Sequence, residues 1–310
     1  MPSTGNMLQK DIRGWLSPPD PSTTHNIARR GYLDGTASWF IQSDTFNEWT
    51  ETSSFLWIRG KRAHLFHPYF ITCPDYCLSR GGIAGAGKSI LWYVVPENFH
   101  PAHSTTAPNS SSIIEEINGL CDIGLALIAY FYCDFRDPKK QDAGGLLSSL
   151  IIQLAAKSDP CCNILSDLYS NCDAGSRQPG NDVLLDCLEK MLNIEGLPAI
   201  YIIIDGLDEC PGVPGLAPPR KRVLELIEKL VEFHLPNVRI CVTSRPEADI
   251  QASLAPLVSH KVSLHEEYGQ KKDICDYIKY IVNSDRHMRR WKAEDKEMVV
   301  DSLSRRGDGM

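Results

Sequence analysis

The chain has 310 residues, enough for one large domain or two ordinary ones, and its 43% hydrophobic and 23% charged content suits a globular fold with a buried core. A net charge of -7, from 32 basic and 39 acidic residues, argues mildly against nucleic acid as the main partner, since phosphate binding needs a basic face. The opening residues lack a leader-like apolar core, the most apolar run (Ile123–Cys133) is only 11 residues, and the 11 cysteines read as reduced, mostly buried thiols, so a cytoplasmic protein without a membrane partner is expected.

In chain order, residues 1–30 are polar and proline-rich around WLSPPDPSTTHN and read as a linker or docking arm. Trp39, Phe40, Phe46 and Trp49 are spaced to share a helical face, and FLWIRG (Phe55–Gly60) predicts a short buried strand ending in glycine. A helical pattern resumes at SSIIEEI (Ser111–Ile117), followed by a second buried strand, LIAYFYCDF (Leu127–Phe135), and a turn at Asp137-Pro138. Leu146, Leu147, Leu150, Ile151 and Leu154 form one helical stripe, and NDVLLDCLEKML predicts a further helix with Asn181 as N-cap. Then come the apolar strand AIYIIIDGLDEC, the amphipathic helix RKRVLELIEKLVEFH and the strand VRICVTSRP (Val238–Pro246). KVSLH reads as a last short strand, KKDICDYIKYIVNS as a helix, and the basic run RHMRRWK (Arg286–Lys292) as a solvated helix face. Apolar strands alternating with helices predict an α/β fold with a mostly parallel sheet covered on both sides, and such sheets bind ligands at the carboxyl ends of their strands.

Three loops at that edge carry candidate chemistry. Gly82, Gly87, Lys88 and Ser89 fit G-x-x-x-x-G-K-[ST], in which backbone N–H groups approach phosphate oxygens because side chains are absent. Gly82, Gly85, Gly87, Lys88, Ser89 and Ile90 are therefore candidate nucleotide-binding residues, Lys88 reaching the β- and γ-phosphates and Ser89 a Mg²⁺ ion. In YIIIDGLDEC, the apolar run delivers Asp205 to a strand tip as a second candidate Mg²⁺ ligand. Asp208 and Glu209 follow as acids to orient or deprotonate a water, and Pro211 and Pro214 disfavour an immediate helix there. In ICVTSRP, Arg245 beside Thr243 and Ser244 is placed to sense a γ-phosphate.

The ordered set LWIRG, GIAGAGKS, YFYCDFRD, LLSSLIIQLA, YIIIDGLDEC and RICVTSRPEADI resembles the NACHT-type P-loop NTPase domains of fungal NOD-like STAND proteins, also called nephrocystin-like N-terminal domains. The resemblance runs from about Gly31 to Met310. It implies a P-loop NTPase three-layer fold with a five-stranded parallel core over residues 31–265, a helical segment at 266–310, and use of ATP (GTP less so) with Mg²⁺ as a slow switch. Residue by residue, it gives Lys88 and Ser89 the P-loop roles, Asp205 the Mg²⁺ role, Asp208 and Glu209 the acidic pair, and Arg245 the sensor role.

The chain departs from that pattern in two places. Segments 61–81 and 93–110 read as inserts, and removing both joins the text into a continuous strand, loop and helix. Trp92-Tyr93-Val94 must be encoded with a donor-like GTAYGT, so the inserts are expected to be translated introns. The first also carries His64, His67, Cys73 and Cys77, in a spacing unlike the usual zinc knuckles. The chain also ends where the resemblance usually continues into regions that bind protein partners or self-associate, so Met310 reads as a truncation. Pro96 breaks the helix that should support the phosphates, which leaves a rival reading: an interaction module that keeps the fold and no longer binds nucleotide well.

Overall fold

A computed structural model describes residues 4–30, 35, 37–60, 110–212, 218–264, 267–285 and 288–308. The apolar runs form β1 (Phe55–Arg59), β2 (Ala126–Tyr132), β3 (Ala199–Asp205), β4 (Val238–Ser244) and β5 (His260–Ser263). All pair in parallel, in the order β2-β3-β4-β1-β5. Because successive side chains point to opposite faces, the strands divide between two cores. Phe55, Trp57, Ile200, Ile202, Ile204, Ile240 and Val242 enter one, while Leu56, Ile58, Tyr201, Ile203, Cys241 and Val262 enter the other. Burial on both faces is why these strands read as continuous apolar text rather than as an alternation.

Helices cover each face. On the first lie α6 (Ala143–Lys157), α7 (Asp159–Asn171), α8 (Asn181–Leu192), α9 (Pro219–Glu232) and α10 (Ala248–Leu254). The stripe Leu146, Leu147, Leu150, Ile151 and Leu154 is at most 1% exposed. On the second lie α3 (Ser38–Ile41), α4 (Asp44–Glu51) and α5 (Ser110–Asp122), with Ile113, Ile114 and Ile117 fully buried. Trp49 is also fully buried, and its Nε1–H donates to the Ile240 carbonyl at 3.1 Å. Sheet and flanking helices make three layers, as expected.

Three local expectations are corrected. The supposed linker 1–30 holds two helices, α1 (Thr4–Leu16) and α2 (Ser22–Arg30), docked across the domain. Ile12, Trp15 and Leu16 fall at i, i+3 and i+4 and are all buried, a spacing that outweighs the helix-breaking Pro18-Pro19 beyond it. His25 fixes the second helix, with Nδ1 at 3.1 Å from the Tyr132 hydroxyl and Nε2 at 2.9 Å from Glu115. Asn181 is the first residue of α8, not its cap; Gly180 occupies the cap position without a side-chain bond. Within the described part of the basic run, Met288–Arg290 form a 3-10 turn with Met288 buried, in place of a solvated helix face. Towards the C-terminus, α11 (Tyr268–Ser284) and α12 (Ala293–Asp308) share their own apolar cluster. Trp39 joins α11 to the rest: its Nε1–H donates to Asp273 at 3.1 Å.

Candidate functional site

Parallel pairing brings every strand's carboxyl end to one edge. There Asp205 ends β3, Thr243 and Ser244 end β4, and Arg59 and Gly60 end β1, with Arg59 in register with Ser244. The Gly60 N–H donates to the Ser244 carbonyl at 3.2 Å, and Trp57 Nε1–H donates to Ser244 Oγ at 2.9 Å. β1 therefore ends beside the tip of β4, one strand removed from the tip of β3. Gly82, Gly85, Gly87, Lys88, Ser89 and Ile90 lie outside the described residues, as do segment 61–81 and residues 93–109 of the second insert.

The loop after β3 is shaped by its sequence. Gly206 adopts φ 68°, a left-handed conformation that glycine takes without steric cost, and one 3-10 turn (Leu207–Glu209) follows with Leu207 fully buried as its anchor. That turn holds the three acids in different environments. Asp205 Oδ1 accepts from the Thr243 hydroxyl at 2.5 Å, and the same hydroxyl oxygen accepts from the Gly206 N–H at 3.0 Å. Asp208 pairs with Arg245 twice: Arg245 Nε–H donates to Oδ2 at 2.6 Å and the Arg245 backbone N–H to Oδ1 at 2.9 Å. Glu209 accepts a long bond, 3.3 Å, from the Phe135 N–H. Burial first, against the Phe135 bond, and then the charges of Asp205, Asp208 and Asp134 together bring the Glu209 carboxyl up to about 7. A carboxyl held near neutrality is suited to taking and returning a proton.

Asp205, Asp208, Glu209 and Arg245 thus share one edge, as expected from their strand-tip positions. The loop after β2 was not foreseen as part of it. Its Asp134 chelates Arg136, with Nε–H donating at 3.0 Å and Nη2–H at 2.9 Å, and its Phe135 backbone reaches Glu209. The signal was an acid and a base directly after a strand, in CDFRD. Among the described residues, no group of three or more His, Cys, Asp or Glu side chains is arranged to hold a metal ion. Mg²⁺, however, is normally held by one or two carboxylates plus phosphate oxygens, and the hard oxygen of Asp205 fits that donor set.

Five parallel strands between two helical layers, with acids at the carboxyl edge, define a three-layer α/β domain. The chain belongs to the family described as Nephrocystin 3, N-terminal, whose profile matches residues 74–245, more than half its length. No curated protein matches the sequence. Among solved structures, the chain is similar to the ORC2 protein of Aeropyrum pernix, determined as ADPNP-ADP complexes, at 10% identity and a TM-score of 0.43. That alignment covers 91% of this chain and 63% of the other, so the chain spans less than two thirds of that protein's length. No helix among the described residues is long and apolar enough to cross a membrane.

Proposed function

We propose that the chain is a nucleotide-binding switch domain of the NACHT/STAND type, taking ATP or, less readily, GTP together with Mg²⁺, and hydrolysing it slowly or not at all. The observation that carries this reading is the clustering of Asp205, Asp208, Glu209 and Arg245 around the tips of β3 and β4, beside the end of β1. In the proposed mechanism, Lys88 and the backbone amides of Gly82, Gly85, Gly87, Ser89 and Ile90 bind and neutralise the phosphates. Ser89 and Asp205 would hold the metal, whose chemistry when bound is to withdraw charge from the phosphate oxygens. Asp205 is oriented for this by the Thr243 hydroxyl. Glu209, or Asp208, polarises an attacking water, and Arg245 reports the γ-phosphate. Nucleotide state would then be coupled to protein partners or self-association in the cytoplasm.

One observation favours the rival reading, an interaction module with little use for nucleotide. Arg245 and Asp208, two groups assigned to the γ-phosphate end, are bound to each other. The two readings separate in an equilibrium assay with labelled ATP on the chain as given and on a version lacking 61–81 and 93–110. Mg²⁺-dependent binding by either form, lost on Lys88→Ala, supports the switch. Failure of both forms to bind leaves the interaction module.

A further inference from the structure

Arg220 belongs to no motif, yet it is 6% exposed and every nitrogen of its guanidinium is engaged. On one side, Nε–H donates to the Cys210 carbonyl at 2.8 Å and Nη2–H to the Asp208 carbonyl at 3.0 Å. On the other, Nη1–H donates to Glu247 Oε2 at 2.5 Å and to the Asp249 carboxylate at 3.1 and 3.2 Å. One planar cation therefore joins the loop after β3, which carries Asp208 and Glu209, to the segment after β4, which carries Arg245. The circuit closes through the Asp208–Arg245 pair, so Asp208 is held by its carbonyl from Arg220 while its carboxylate holds Arg245.

Packing alone does not call for this arrangement. Burying a guanidinium carries a desolvation cost, and apolar residues of similar volume often fill such a place at least as stably. What a guanidinium adds is a rigid fork that fixes several acceptors at set distances and angles, which the flexible ammonium of lysine does not. A Cβ added at Gly212 would meet Arg220 Nη1 at 2.8 Å and Cζ at 2.9 Å, so it would have to displace the guanidinium.

We propose that Arg220 is a positioning residue that sets the spacing between the acidic loop and Arg245, and thereby the discrimination between nucleoside triphosphate and diphosphate. It touches no ligand and acts through Asp208 and Arg245. The inference rests on the nucleotide-site reading above, since only a γ-phosphate at this edge distinguishes the two ligands.

The test uses the full chain as wild type, Arg220→Lys and Gly212→Ala, the first variant keeping the charge but losing the planar fork, the second keeping the fork but displacing it. Equilibrium binding of labelled ATP and ADP with Mg²⁺ is measured alongside thermal melting and amide exchange. The expected result is unchanged ADP affinity in both variants, because the phosphate loop is untouched. The ATP:ADP affinity ratio falls about tenfold in Arg220→Lys, the factor that a lost charge-assisted bond supplies, and by less in Gly212→Ala. Exchange quickens in residues 206–210 and 245–249 while β3 stays protected. An unchanged ratio in Arg220→Lys overturns the role, as does a parallel loss of ATP affinity, ADP affinity and melting temperature, which marks packing alone. A shift in Arg220→Lys with none in Gly212→Ala assigns the effect to the lost fork bonds rather than to the spacing and also contradicts positioning. A wild-type chain that binds neither nucleotide removes the site itself and the role with it, an outcome distinct from an unchanged ratio.

Discussion

Replacing Glu209 with Gln should stabilise the chain at alkaline pH and do little in acid. An ordinary glutamate titrates near 4.5, whereas burial pushes Glu209 up to about 7. Below pH 4.5 both folded and unfolded chains carry the proton, and the group contributes no pH dependence. Between 4.5 and 7 the folded chain keeps a proton that the unfolded chain has released, so stability falls as pH rises through this window. Above 7 the carboxylate is charged in its partly dry site and the full cost is present. Such a rise corresponds to roughly 3 kcal/mol, and to about 2 kcal/mol after allowance for the solvent that still reaches the side chain. The amide of the Glu209→Gln variant cannot ionise and escapes this cost while keeping an oxygen to accept from the Phe135 N–H. Urea unfolding of both proteins at pH 5 and pH 8, with a chelator present, gives the comparison. The advantage of Glu209→Gln should grow by about 2 kcal/mol from the first pH to the second. An advantage that is the same at both values, or a loss of stability at pH 8, would refute the buried-carboxyl account.

Thr243→Val removes the hydroxyl that orients Asp205 and accepts from Gly206, and should cost about 1–2 kcal/mol in urea unfolding while weakening Mg²⁺-dependent nucleotide binding. A variant as stable and as tight as the wild type would show that hydroxyl to be idle. Trp49→Ala empties a fully buried site and removes the indole donor to the Ile240 carbonyl, so a loss of about 3–5 kcal/mol is expected by the same measurement. Deleting residues 1–30 should lower the melting temperature and expose apolar surface to a reporter dye, because Ile12, Trp15 and Leu16 belong to the main core; an unchanged melt would restore the linker reading. A hydrogen-bonded neighbour and burial raise the Cys133 thiol well above its ordinary value, and burial raises Cys241, so both should resist a thiol reagent until the chain unfolds.

The sheet was legible because each strand is an unbroken apolar run flanked by turn residues, and Asp205 could be placed because an acid closing such a run sits at a strand tip. The stripe from Leu146 to Leu154 was equally plain, since tertiary packing and helical period agree there. The N-terminal helices were missed for an opposite reason. The i, i+3, i+4 signal of Ile12, Trp15 and Leu16 is short, and local proline content masked it. Helices α7 and α10 likewise escaped notice, each with few buried positions to make a pattern: Cys161 and Leu165 in one, Ile250 and Leu254 in the other. Inside the candidate site, what could not be read was who meets whom. Phe135 reaches Glu209 only because β2 lies next to β3, and Arg220 finds Asp208, Glu247 and Asp249 only because three segments converge. Such contacts depend on strand order and leave no periodic trace in the text.

The central claim is that Lys88 and Asp205 act on one Mg²⁺-bound triphosphate at the carboxyl edge of the sheet. Its most direct test is the equilibrium affinity of labelled ATP, with and without Mg²⁺, for the wild type, Lys88→Ala and Asp205→Asn. The account predicts that Lys88→Ala abolishes binding and that Asp205→Asn loses the part of the affinity that depends on Mg²⁺. Binding by Lys88→Ala equal to that of the wild type, or an undiminished Mg²⁺ dependence in Asp205→Asn, would contradict it.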